Sequence, residues 1–179
     1  MVSTIHKAWT DEELLALPDG QRYELVDGEL IMMSPSGARH GNVVAELLMR
    51  IRAFVRERRL GHVFDGQTGF RLPGGNLRSP DVSFVKAERL AGGLPSGFLH
   101  LAPDLAVEVL SPTDRAGEVA QKVAEYLSAD VKLLWVIDSD TRSAVVYRPG
   151  ATPHRPLGDI LEGEDVLPGF TCPLASLFD

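Results

Sequence analysis

Glu108 sits inside the apolar run Leu105-Ala106-Val107-Glu108-Val109-Leu110. An ionised carboxylate is costly to bury in such a segment unless it is paired or bound to a metal. The plain reading is a sheet-end residue that reaches solvent or an arginine; the chemical reading is a metal ligand. Asp81 follows Pro80 and opens Val82-Ser83-Phe84-Val85. The chain also contains Pro18-Asp19 and Pro103-Asp104, so the dipeptide by itself carries no signal. Spacing separates the three aspartates. Asp104 shares a strand with Glu108, roughly 13 Å away, too far to chelate one ion with it. Asp19 falls in a loop after an early helix. Asp81 falls on a different strand, and adjacent strands lie about 4.8 Å apart. Two carboxylates on neighbouring strands can share one Mg2+, which takes oxygen ligands and keeps several waters. The plain reading of Asp81 is a turn or strand-start residue.

Lys122 flanks an apolar stripe of Val119, Val123 and Tyr126. From there its ammonium can reach the end of a sheet. Glu118, four residues earlier, offers a simpler role as the partner of a surface salt bridge in the favourable order. His40 by itself reads more naturally as a satisfied polar residue than as a ligand. His6, His62, His100 and His154 are scattered. The sequence holds no HExxH, nucleophile elbow, phosphate loop or dinucleotide fingerprint.

The elements that must position these groups follow from periodicity and turn chemistry. Thr10 before Asp11-Glu12-Glu13 predicts an N-cap and a short helix through Leu17, stopped by Pro18-Asp19-Gly20. Arg22 to Met33 predicts a hairpin turning at Asp27-Gly28. A long helix is expected from about Ala38 to Arg59. Val43, Val44, Leu47, Leu48, Ile51, Phe54 and Val55 form its buried face, and Gly61 is its C-cap signal. Arg50, Arg52, Arg56, Arg58 and Arg59 crowd its second half; they read as a solvated face or, alternatively, as a DNA-backbone contact. Short strands are expected at His62–Phe64, Thr68–Leu72 and Asp81–Val85. Leu105–Leu110, apolar on both faces, should be central. A helix over about Gly117–Ser128 and strands at Leu133–Asp138 and Val145–Tyr147 follow. The tail, Leu157 to Asp179, carries weak strand signals and a short helix at Leu174–Phe178.

The order helix, hairpin, helix, strands, helix, strands predicts an α/β fold. The chain has 179 residues and no linker, which predicts a single domain over 1–179, with a core at about 10–150 and a C-terminal β/helix extension at 151–179. A lone cysteine, Cys172, excludes an internal disulfide and cysteine-based zinc knots. With no signal-peptide pattern and no run of the ~20 apolar residues a bilayer requires, the expectation is a cytoplasmic protein without a membrane partner. The net charge of −7 argues against a nucleic-acid coat protein, though an enzyme with one local DNA contact is compatible with it.

A series of segments then adds up in order. Tyr23-Glu24-Leu25-Val26-Asp27-Gly28-Glu29 comes first, then Ser34-Pro35 and Arg39-His40. Ser79-Pro80-Asp81-Val82-Ser83-Phe84 and Pro103 through Pro112 follow, then Lys122 through Leu127 and Leu134-Trp135-Val136-Ile137-Asp138. From about Thr10 to Phe178 this series resembles the Uma-type endonuclease family of the restriction-endonuclease-like PD-(D/E)xK superfamily. The resemblance implies a restriction-endonuclease-like core, a central mixed β-sheet flanked by helices. It implies Mg2+ or Mn2+ held by Asp81, Glu108 and the carbonyl of Val109. The position two after Glu108 is Leu110 and not lysine, so the resemblance moves the catalytic lysine to Lys122. Glu24 resembles an additional catalytic acid, and His40 is a possible accessory residue.

The implied function is a Mg2+-dependent endonuclease that hydrolyses DNA phosphodiester bonds, as a homodimer. The ion would polarise the phosphoryl oxygen and acidify a bound water, while a protonated Lys122 would offset charge on phosphorus. The alternative is a catalytically inactive member of the fold that binds DNA or protein, to which the displaced lysine and the acidic charge point. A glycosidase using paired carboxylates is a third, weaker reading, short of aromatic platforms.

Overall fold

A computed structural model describes residues 9–18 and 22–179. His6, Asp19 and Gly20 lie outside the described residues. Helix α1 (Asp11–Leu15) starts as expected: the Thr10 side chain accepts from the Glu13 N–H and Glu13 returns the bond, a capping box. It stops two residues short of Leu17. Strands β1 (Arg22–Val26) and β2 (Glu29–Met33) form the expected hairpin, in register from Arg22–Met33 to Val26–Glu29.

Helix α2 (Ala38–Arg58) buries Val43, Leu47, Ile51 and Val55, the three- and four-residue stripe that its periodicity requires. Its left-handed cap falls on Arg59 (φ 54°), not on Gly61. Gly61 is needed for another reason. It opens β3 (Gly61–Asp65) where a Cβ would lie 2.1 Å from the Val85 carbonyl oxygen. β4 shrinks from the expected Thr68–Leu72 to Phe70–Arg71, and β5 (Leu77–Arg78) has no counterpart among the expected strands. A two-residue strand is too short to show a period.

The remaining strands match their apolar runs: β6 (Val82–Lys86), β7 (Leu105–Leu110), β8 (Leu133–Asp138) and β9 (Ser143–Tyr147). Helix α3 (Ala116–Ser128) links β7 to β8, and these two strands are parallel, as a helical crossover allows. The main sheet runs β3-β6-β7-β8-β9 with β7 in the middle, and every other pairing in it is antiparallel. A second sheet runs β2-β1-β5-β4. This is a mixed sheet flanked by helices.

Each face of the main sheet carries a core, and a smaller cluster of Leu14, Leu25 and Leu77 lies at the second sheet. Val82, Phe84, Leu105, Val107, Trp135 and Ile137 pack against α2. Val85, Ala106, Leu134 and Val136 pack against Val123 and Tyr126 of α3. The tail holds β10 (Ile160–Glu162) and β11 (Thr171–Pro173), which pair with each other, and a 3-10 turn at Leu174–Leu177. Its Leu161, Leu167, Phe170, Leu174 and Leu177 belong to the α2-side core. Trp135 is fully buried and stacks on buried Phe170, and Phe178 packs half-buried on that core, so the aromatic residues near the C-terminus are core-forming. Among the described residues no helix is long and apolar enough to cross a membrane.

Candidate functional site

The pairing of β6 with β7 matches Val82 with Val107, Ser83 with Ala106 and Phe84 with Leu105. One step further sets Asp81 opposite Glu108, where directly opposed residues have Cβ atoms about 5 Å apart. Asp81 is buried and ties itself to β7: its Oδ2 accepts from the Val109 N–H at 2.9 Å. The same oxygen lies 3.2 Å from His40 Nε2 in the first turn of α2, and Arg22 Nη1 stands 3.8 Å from Oδ1. Burial acts to raise the Asp81 carboxyl, but His40, the Val109 amide and Arg22 outweigh it and hold the group below the usual carboxylate range. In return, the hydrogen bond to Asp81 outweighs burial and raises the His40 imidazole.

Glu108 is buried as well, and both its oxygens are engaged from α3. Lys122 Nζ donates to Oε2 at 3.1 Å, and the Tyr126 hydroxyl donates to Oε1 at 2.7 Å. Lys122 and Tyr126 are four residues apart, one helical turn, so both face the same strand. Burial pushes the Glu108 carboxyl up from 4.5 to about 7. The Lys122 ammonium and the Tyr126 hydroxyl pull against that, while Asp81 and Glu24 add to it. For Lys122, burial opposes the charge, but Glu108 and Glu24 more than offset it, so the ammonium is held above its ordinary value. Among the described residues its ion pairs go to Glu108 and Glu24 rather than to Glu118, the alternative surface partner.

Glu24 enters from β1, fully buried. Its Oε2 accepts from Arg78 Nη1 at 2.8 Å and lies 3.7 Å from Lys122, and its Oε1 accepts from the Ser79 N–H at 3.1 Å. Buried Arg78 also donates through Nε and Nη2 to Glu125 Oε2, at 2.8 and 2.5 Å. Glu24, Asp81, Glu108, Lys122 and His40 therefore form one connected cluster, and Val109 contributes its N–H to it. Sequence reasoning missed Arg22, Arg78, Glu125 and the hydroxyl role of Tyr126. The position of Glu125 and Tyr126 one turn after Lys122 was a usable signal for those two. Arg78 had none, because its strand was invisible.

The arginines of α2 are not brought to this cluster. Arg50 bonds Glu46 and Ser176, and Arg58 pairs with Glu57 and lies over the Phe54 ring. Arg52, Arg56 and Arg59 line a separate depression with His62, some 18–28 Å along the helix from His40. Asp104 accepts from the Lys86 N–H and pairs with Arg89, and His100 pairs with Asp11.

Among the described residues, no three His, Cys, Asp or Glu side chains form a ready-made metal cage. The donors that converge are nonetheless chemically apt. Among the described residues Asp81 Oδ1 accepts no hydrogen bond, and Glu108 is a buried carboxylate whose pKa is raised chiefly by that burial. A set of one or two carboxylates completed by water fits Mg2+ or Mn2+ and not a structural zinc.

Beside the cluster lies a cavity of about 560 Å3 between the β1–β2 hairpin and α3. Glu24, Glu108, Arg78 and Lys122 line its inner end. Asp81 does not line it.

The model of the Uma2 family, "Putative restriction endonuclease", matches residues 11–175. No curated protein matches the chain. The crystal structure of "a putative nuclease belonging to DUF820" from Anabaena variabilis ATCC 29413 superposes with a TM-score of 0.82 at 22% identity, over 95% of this chain and 97% of that one. That likeness establishes the shared fold. With the family match extending over nearly the whole chain, from α1 to the last turn, the protein belongs to the Uma2 family.

Proposed function

We propose that the protein is a metal-dependent endonuclease that hydrolyses DNA phosphodiester bonds, with Asp81 and Glu108 as its metal-binding carboxylates. The observation that carries this reading is the register of β6 on β7, which opposes the two acids, with Lys122 ion-paired to one of them at 3.1 Å. Mg2+ or Mn2+ bound by Asp81, Glu108 and the Val109 carbonyl would polarise a phosphoryl oxygen and lower the pKa of a coordinated water. The chain's own groups supply the rest. Lys122, kept protonated by its two carboxylates, offsets negative charge on the phosphorus and acts electrostatically rather than as a base. Glu24 steers Lys122, and Arg78 holds Glu24. His40 keeps Asp81 ionised and oriented. A homodimer with two such sites, and a cytoplasmic location, complete the reading. Light scattering and cell fractionation are their respective tests.

A second reading keeps the family and drops the chemistry. Both Glu108 oxygens are already occupied by Tyr126 and Lys122, an arrangement that an inactive, purely binding member would also retain. Cleavage of supercoiled plasmid with Mg2+ or Mn2+ separates the two. Wild type should nick, and Asp81→Ala, purified identically, should not. Equal activity in both, or none in either, sinks the metal-nuclease reading.

A further inference from the structure

The cavity beside Glu108 has a composition that a phosphate site alone does not explain. One wall is β2, where Glu29, Ile31 and Met33 alternate onto the same face. The opposite wall is α3, with Glu118 and Val119, and the floor is Leu110 and Val136. Ile31 remains 43% exposed although it faces this space. Aliphatic side chains thus line a concave space that continues directly into the Glu108–Lys122 pair. The mouth is acidic: exposed Glu29 and Glu118 line it, with Asp27 and Asp114 beside them. Asp27 Oδ2 meets Gln121 Nε2 at 3.4 Å, so the hairpin and α3 touch across the opening.

Resting on the nuclease reading of this cluster, we propose that the cavity is a nucleobase subsite and that the substrate is locally unpaired DNA. A volume of about 560 Å3 accommodates one nucleotide but not a run of stacked base pairs. The aliphatic walls suit the faces of an unstacked base, and enzymes that act on single bases hold them between apolar side chains. Carboxylates at the mouth repel a second phosphate backbone and accept hydrogen bonds from exocyclic amines, as Asp and Glu do from cytosine N4. The same strand would then place its phosphate at Lys122 and its base against Ile31 and Val119. The amine-accepting rim favours cytosine, adenine and guanine over thymine.

The test is fluorescence anisotropy of labelled oligonucleotides on the full chain with Ca2+ in place of Mg2+, alongside cleavage with Mg2+ and Mn2+. The probes are a single strand, its perfect duplex, and a duplex with a central unpaired stretch, in cytosine-rich and thymine-only versions. Single-stranded and unpaired probes should bind at least about tenfold tighter than the duplex, and cytosine-rich tighter than thymine-only. Ile31→Trp, which fills the cavity from an exposed position, should lose about tenfold in single-strand binding. Met32→Trp, on the other face of β2, should lose nothing. Glu29→Gln should narrow the gap between duplex and single strand. Duplex binding equal to single-strand binding overturns the proposal, as does an Ile31→Trp variant that binds like wild type or a wild type that binds no probe. Ile31-dependent binding without cleavage would keep the subsite and reject the nuclease reading. Asp81-dependent duplex cleavage that ignores Ile31→Trp would do the reverse.

Discussion

Glu108 is a buried carboxylate that shares its surroundings with Asp81 and Glu24, so on the proposed function a proton and the metal would compete for it. Its carboxyl is raised to about 7, so on the proposed function a metal would have to displace a proton below that pH. Apparent Mn2+ affinity should fall about tenfold per pH unit below 7 and level off above it, as calorimetric titration would read. A pH-independent affinity between pH 5 and 8 would remove Glu108 from the ligand set. Folding stability carries the same signature. The raised pKa means that the folded chain binds this proton more tightly than the unfolded one. The contribution is complete below about 4.5 and is lost as pH rises through about 7. It is worth on the order of 3 kcal/mol. Glu108→Gln should flatten that component of the metal-free denaturation profile. Lys122→Met should lower turnover by 100-fold or more, in line with loss of an electrostatic group aimed at the transition state, while leaving metal binding in place. Unchanged turnover in that variant would assign Lys122 to the structure alone.

At the scale of elements, the cluster depends on pieces that pair over very short lengths. β5 is two residues long, and Arg78 within it clamps Glu24 of β1 to Glu125 of α3. Removing Arg78 takes from Glu125 and from buried Glu24 the guanidinium that bonds both, leaving Glu24 only Lys122 and the Ser79 N–H among the described residues, a loss of roughly 3–5 kcal/mol. Arg78→Leu should show it in urea denaturation. Arg78→Lys should recover little, because a single ammonium cannot reproduce a guanidinium that bonds both acids. The contact of β3 with β6 is equally intolerant. A methyl group on Gly61 would sit 2.1 Å from the Val85 carbonyl, so Gly61→Ala should cost more than about 2 kcal/mol. A neutral result would mean that the β3 edge can slide.

At the scale of the whole molecule, charge and packing are both unevenly placed. The net charge is −7, and the cavity mouth holds carboxylates while Arg52, Arg56 and Arg59 lie together at the far end of α2. Nucleic-acid affinity at the cleft should therefore depend on a divalent cation. The tail, though weakly patterned, is part of the α2-side core: Leu161, Leu167 and Leu177 are fully buried in it. Leu167→Ala should cost about 2–5 kcal/mol by thermal melting, the price of a core cavity. A loss under 1 kcal/mol would mark the tail as an appendage.

What the sequence determined by itself is what local periodicity and turn chemistry can encode. The long amphipathic helix, the Asp27-Gly28 hairpin and the apolar runs of β7 and β8 were legible because each repeats a pattern along the chain. Asp81 and Glu108 could be singled out because a carboxylate in or beside an apolar run is anomalous on energetic grounds. Their opposition came only with the pairing register of β6 and β7, a relation between segments 27 residues apart that no local pattern carries. The partners of Lys122 were likewise decided in three dimensions. An exposed pair with Glu118 was locally available, yet two buried acids in a medium of low dielectric outcompeted it. Arg78 and the tail lay beyond sequence reading for the same reason: one acts from a two-residue strand and the other from scattered leucines, and both gain their meaning from neighbours supplied by distant segments.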